Sequence, residues 1–184
     1  VYVLAGQIFV DGMVNGDLLA VGGMVNVSGK ILQNIRIAAG QVIISGDIGR
    51  NASIAAGNIE MAKNTIIRGN LVIGGGNVTL DSQILGDTKV GSGNLTVTGK
   101  IWRNLEALGD SIRVSSTGQI DGDLTYLADV EASIDPGATI GGKITRNQSP
   151  VWLKPPKATA GHWITGLLNQ SRIFSLLLTL IFGI

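Results

Sequence analysis

At 184 residues the chain could form one or two ordinary domains, but 27 glycines, 4 prolines and only 4% aromatic residues point to a single repetitive one. The absence of cysteine excludes disulfides and thiolate metal sites. A formal charge of +1, with acids and bases interspersed, provides no basic stripe and so argues against nucleic acid as a partner.

Val1 opens the chain in mid-repeat without a methionine, so upstream residues such as a cleaved secretion signal are expected. A first coil carrying Val3, Ile8, Phe9 and Val10 leads into a regular pattern of small or polar residue, Asn/Asp, apolar residue. Its Asn/Asp members are Asp17, Asn34, Asn51, Asn70, Asp87, Asn104 and Asp123, at steps of 17, 17, 19, 17, 17 and 19 residues. An apolar column keeps the same register through Val14, Ile31, Ile48, Ile66, Ile84, Ile101, Ile120 and Ile140. A fixed period of this length marks a solenoid, in which each unit buries its apolar side against its neighbours.

Within each period, Gly or Asn/Asp recurs every five to seven residues, as at Asp17, Gly23, Gly29, Asn34, Gly40 and Gly46. These residue types tolerate left-handed backbone angles, so each is read as a tight corner. Between corners, Val25-Asn26-Val27, Val42-Ile43-Ile44, Val78-Thr79-Leu80 and Leu95-Thr96-Val97 alternate with the period-two signature of strands. The expected fold over 1–146 is therefore an all-β, parallel β-helix of about eight triangular coils, with three short strands and three corners each, and a length of roughly 35 to 40 Å. The period leaves its handedness open.

The repeat stops near Asn147, and the Pro-rich stretch that includes Pro150, Pro155 and Pro156 makes 147–159 a stiff linker. Residues 160–184 read as an amphipathic segment and the start of a hydrophobic α-helical membrane segment. Its anchor residues are Trp163, Phe174, Leu176, Leu177, Leu178, Leu180, Ile181 and Phe182. A span needs about 20 apolar residues, more than the run from Ile173 to Ile184 supplies. The alternative is a short apolar helix packed on the rod.

No constellation of residues calls for catalysis. The Asn/Asp column could gather cations, but its carboxylates Asp17, Asp87 and Asp123 are separated by neutral Asn, which favours a corner-stabilising ladder. Gly22-Gly23 and Gly74-Gly75-Gly76 lack the Lys-Ser/Thr and following helix of a phosphate loop. The only histidine, His162, lies beyond the repeat with no nucleophile or carboxylate placed beside it, so the acyltransferase chemistry often found on left-handed β-helices has no base. Coils with almost no insertions leave no wall for the acidic groove of a polysaccharide hydrolase. Sequons at Asn26, Asn51, Asn77 and Asn94 could accept glycans, although an Asn/Thr-rich repeat also produces them by chance.

Units such as Val14-Asn15-Gly16-Asp17-Leu18-Leu19-Ala20-Val21-Gly22-Gly23 and Gly69-Asn70-Leu71-Val72-Ile73-Gly74-Gly75-Gly76-Asn77-Val78-Thr79-Leu80 resemble the bactofilin-like, polymer-forming cytoskeletal proteins. The likeness covers residues 1 to about 146. It is nearest to a membrane-attached branch in which a signal peptide precedes the β-helix and hydrophobic helices follow it. The resemblance implies a right-handed triangular β-helix, end-to-end association of rods, no nucleotide and a scaffolding role at the envelope. The apolar C-terminal run departs from the cytosolic members of that family.

The expected function is thus a non-enzymatic, membrane-anchored scaffold without cofactor or small-molecule substrate. Its partners are membrane lipid and either its own copies or another membrane protein. The first coil, with Val3, Ile8, Phe9 and Val10, is the expected assembly contact, because an open β-helix end presents unpaired backbone; the alternative is that upstream residues cap it. The rival is a surface adhesin or glycan-binding rod using Thr79, Thr96 and Thr98. Lys154, Lys157 and Arg172 would favour a cytoplasmic rod by the positive-inside rule. The family resemblance places it on the extracytoplasmic side, which is the placement adopted.

Overall fold

The computed structural model describes residues 1–147, which form an all-β, parallel solenoid of about nine turns. The linker and membrane segment expected over 147–159 and 160–184, with the anchor residues from Trp163 to Phe182, lie outside the described residues apart from Asn147 itself.

Each coil contributes one long strand. These are β1 (Tyr2–Val10), β2 (Leu18–Val27), β3 (Ile35–Ile44), β4 (Ala52–Met61), β6 (Leu71–Leu80), β8 (Thr88–Val97) and β10 (Leu105–Val114), shortening to β12 (Leu124–Leu127) and β15 (Ile144–Asn147). Short strands come between them: β5 (Ile66–Ile67), β7 (Gln83–Ile84), β9 (Lys100–Ile101), β11 (Gln119–Ile120), β13 (Ser133–Ile134) and β14 (Thr139–Ile140). The long strands stack in chain order as one parallel sheet, which β13 joins through β10. The short ones stack as β14-β11-β9-β7-β5, and bridges Val14↔Ile31↔Ile48↔Ile67 continue that line through the earlier coils.

Three expectations are corrected. Three short strands per coil were expected, yet the corner at Gly23 and its equivalents sits inside a ten-residue strand. Pairing lapses there at a single position, running Gly22↔Ala39 and then Met24↔Gln41. The phase of burial shifts at the same place, with Leu18 and Ala20 inward before it and Val25 and Val27 inward after it. The long strand therefore bends into two arms without ending.

Left-handed corners were expected too, but Gly137, at φ 101°, is the only described residue with a positive φ. The other corner glycines serve close stacking. A Cβ on Gly29 would overlap the Gly12 carbonyl oxygen, one on Gly46 the Gly29 oxygen, and one on Gly99 the Ser82 oxygen. In the first of the two coils with two extra residues, Thr65 is the buried residue at this corner, and its hydroxyl donates to the Ile44 carbonyl at 2.9 Å.

Thirdly, the apolar column passes through Ile67 and not Ile66. Ile67 pairs with Ile48 on one side and Ile84 on the other and is fully buried, whereas Ile66 pairs with Gln83 and is half-buried. A slip of one residue turns a strand side chain to the opposite side. Val14, Ile31, Ile48, Ile84, Ile101, Ile120 and Ile140 keep their places, the first and last packing partly exposed at the ends of the core.

The two ends differ. Towards the C-terminal end, Tyr126 fills the inward column and its hydroxyl accepts from the Ala132 N–H at 3.3 Å. Above it, at the position paired with Tyr126, Arg146 donates to the carbonyls of Ala128 and Asp129. At the N-terminal end, β1 pairs only with β2, and the last core layer is apolar: Val3, Ile8, Val10 and Val14.

Candidate functional site

Because the register is constant, every surface position of one coil lies over its equivalent in the next, and the features available for function are columns. The Asn/Asp column forms a continuous ladder. The side-chain oxygen of Asp17 accepts the backbone N–H of Asn34 at 2.9 Å, and Asn34 serves Asn51 at 3.2 Å. Asn51 serves Asn70, and Asn70 serves Asp87, each at 2.9 Å. Asp87, Asn104 and Asp123 continue it to Asn104, Asp123 and Lys143, at 3.3, 2.9 and 2.7 Å. A short polar side chain is needed because its oxygen must reach a backbone donor one coil away at a point where the strand ladder has stopped.

All seven residues expected in the ladder are thus brought together as a structural device. No two of its carboxylates occupy adjacent coils, since Asp17, Asp87 and Asp123 each neighbour Asn in the column. Among the described residues there is no cluster of three or more His, Cys, Asp or Glu able to hold a metal. The backbone N–H and side-chain amide of Asn34, followed by the Arg36 and Arg50 charges, hold the Asp17 carboxyl below the ordinary aspartate range.

One ladder bond gives a direct test. Asn51→Ala removes both the acceptor for Asn70 and the amide that donates to Asn34 at 3.2 Å. The expected loss is about 1 kcal/mol, because this edge is exposed and water replaces part of the interaction. Asn51→Asp, which keeps the acceptor, should lose less. Equal losses in denaturant titrations of the two variants would remove the side-chain oxygen from this role.

A second ladder was not foreseen. On the outer side of the second arm, the Asn77 amide donates to Asn58 at 2.9 Å and the Asn94 amide to Asn77 at 2.8 Å. The signal was diluted because Met24 and Gln41 hold the equivalent positions in earlier coils. The amide nitrogens of three sequons, at Asn51, Asn77 and Asn94, are therefore engaged in ladders. Thr79 and Thr96 are paired neighbours on this surface, while Thr98 turns its hydroxyl to the Leu80 carbonyl at 3.3 Å.

The first-coil residues separate. Ile8 is 5% exposed and belongs to the core, and Val3 and Val10 pack partly buried against it. Phe9 is 64% exposed on the outside, as are Tyr2 and Leu4 at 85% and 82%. Val3, Ile8 and Val10 thus share an end layer that Phe9 does not join.

Charge on the flanks is arranged between neighbouring coils. Lys89 meets Glu106 at 2.8 Å, Lys100 meets Asp121 at 3.1 Å and Arg113 meets Asp135 at 2.7 Å. The Lys89 ammonium is held above its ordinary range by its hydrogen bond to Glu106, and the Arg113 guanidinium likewise by Asp135. Solvent screens exposed pairs of this kind, so they contribute little to stability.

A third column is apolar. Leu4, Val21, Ala38, Ala55, Gly74, Gly91, Leu108 and Leu127 pair in succession along the outer side of the first arm. Each lies beside a residue of the column Tyr2, Leu19, Arg36, Ser53, Val72, Lys89, Glu106 and Thr125. Neither column was singled out by the sequence, where an apolar residue in a strand is read first as core. No family model, curated protein or solved structure matches the chain.

Proposed function

We propose that the chain is a non-enzymatic, membrane-anchored structural protein of the bactofilin-like kind, which self-associates or supports a membrane complex through its β-solenoid. The observation that carries this reading is the constancy of the rod. Its register repeats coil upon coil, so its surface consists of long stripes, which suit extended contacts with a similarly extended partner. In this reading the rod is a right-handed triangular prism on the extracytoplasmic side. The apolar run containing Trp163, Phe174, Leu176, Leu177, Leu178, Leu180, Ile181 and Phe182 enters lipid.

Electron microscopy of the detergent-solubilised full chain across a concentration series tests it. Filaments, rings or defined clusters of rods are the expected result. Isolated rods at every concentration would overturn self-association.

One observation favours a second reading, a glycan-binding rod: the exposed amide ladder of Asn58, Asn77 and Asn94, with Thr79 and Thr96 on the same surface. Binding on a glycan array that Asn77→Ala abolishes would select this reading over the scaffold.

A further inference from the structure

We propose that the apolar column of the first arm is the contact between two copies of this chain, lying side by side and antiparallel with a two-fold axis at Gly74. The inference deepens the scaffold reading and rests on it.

Four observations lead there. First, the column carries no polar side chain from Leu4 to Leu127, and three of its four bulky members are open, Leu4 at 82%, Leu108 at 47% and Val21 at 39%, while Leu127 is half-buried. Second, Ala55, with only a methyl group in the column, is 2% exposed yet stands apart from the core cluster. Third, a Cβ on Gly91 would meet nothing within 4 Å, and its φ is not positive. The fold itself does not require glycine there. An interior-strand glycine of this sort marks the close approach of another backbone. Fourth, the neighbouring column carries Arg36 on one side of Gly74 and Glu106 on the other, each two coils away.

These observations select the occupant. Turning one rod over about an axis at Gly74 sets Gly91 against Ala55 of the partner, Leu108 against Ala38, and Leu127 against Val21. The same turn brings Glu106 opposite Arg36, twice by symmetry, and Val72 opposite its own copy. The small residues lie at the axis and the large ones towards the ends, so the two walls approach most closely at their middle. A parallel pair gains no such charge match, because the Arg36 column would then face the glycine column of the bend. Opposite charges on one surface also fit a second copy better than an anionic lipid surface, which would favour a single sign. The wall is about 40 Å long and about 15 Å wide, so pairing would bury about 1,200 Å² in total, the lower bound of a specific interface.

The chain has no cysteine, which makes cross-linking clean. In detergent-solubilised full-length protein, a mixture of Ala38→Cys and Leu108→Cys chains should be joined by a short bis-maleimide. Neither variant alone should be, because identical residues sit about 19 Å apart across this interface. Gly91→Glu, whose side chain meets open space in the monomer, should weaken association by about tenfold or more by placing an unpaired carboxylate against Ala55 of the partner. Arg36→Glu should weaken it, and Arg36→Glu combined with Glu106→Arg should restore it.

Cross-links between identical residues would overturn the antiparallel pair. Assembly seen by microscopy without the mixed cross-link, and indifferent to Gly91→Glu, would overturn this surface and leave the scaffold reading standing. Monomeric rods at every concentration would overturn both. Binding to anionic phospholipid vesicles that Gly91→Glu abolishes, with no cross-link, would assign the wall to a membrane instead.

Discussion

Gly46→Ala is expected to destabilise the rod by more than about 4 kcal/mol, a large part of the about 5 to 15 kcal/mol that holds a typical domain together. The added Cβ would overlap the carbonyl oxygen of Gly29 in the coil beneath, and the two corners are held in place by Gly29 N–H donating to the Val10 carbonyl at 2.8 Å and Gly46 N–H to the Val27 carbonyl at 3.1 Å. No rotamer change relieves such a clash, and moving the coil apart would break neighbouring ladder bonds. Gly91→Ala is the matched control. Its Cβ meets open space, so it should stabilise by about 0.4 to 1 kcal/mol through the entropy of the unfolded chain. Urea midpoints followed by far-ultraviolet circular dichroism would decide. A neutral Gly46→Ala would mean that the coils are not stacked at this corner as described.

Ile67→Ala is expected to cost about 2 to 5 kcal/mol, the range for truncating a fully buried isoleucine. Ile66→Ala should cost less than about 1 kcal/mol, because that side chain is half-buried beside Gln83 and lies outside the central column. The two residues are adjacent and identical, so the pair measures register and nothing else. If Ile66→Ala proved the more damaging, the coil after β4 would be shifted by one residue and the column would run through Ile66.

The period was legible in the sequence because the Asn/Asp ladder and the isoleucine column are each enforced by a local physical need that recurs in every coil. An oxygen must reach the next backbone N–H, and an aliphatic side chain must fill the same slot of a thin core. The choice between Ile66 and Ile67 was not legible, since the extra residues before Thr65 leave two isoleucines competing for one slot. The glycine corners were found for the wrong reason. Composition identifies where a Cβ is unwelcome, but φ and the nearness of another coil leave the same mark in sequence.

The two outward columns of the first arm were hidden by the same logic. Alternation says that one side of a strand is buried, and an apolar residue is assigned there unless a neighbour contradicts it. Ala55 and Gly91 lie just before the bend, where the alternation changes phase, so pattern alone could not decide their side. The amide ladder at Asn58, Asn77 and Asn94 was obscured because only three coils carry it.

The constant register has a consequence for how the molecule can change length. Leu18, Ile35 and Ala52 follow one another at equivalent positions, and each coil touches only the coil on either side. A whole unit, such as 35–51, can therefore be duplicated or excised with both new junctions still made of matching partners. Each such event would move the tip by about 4.8 Å and leave the remaining layers unchanged. Rod height is in that sense a digital quantity, adjustable one layer at a time, and a lineage could set the distance between the two ends of the rod by counting repeats.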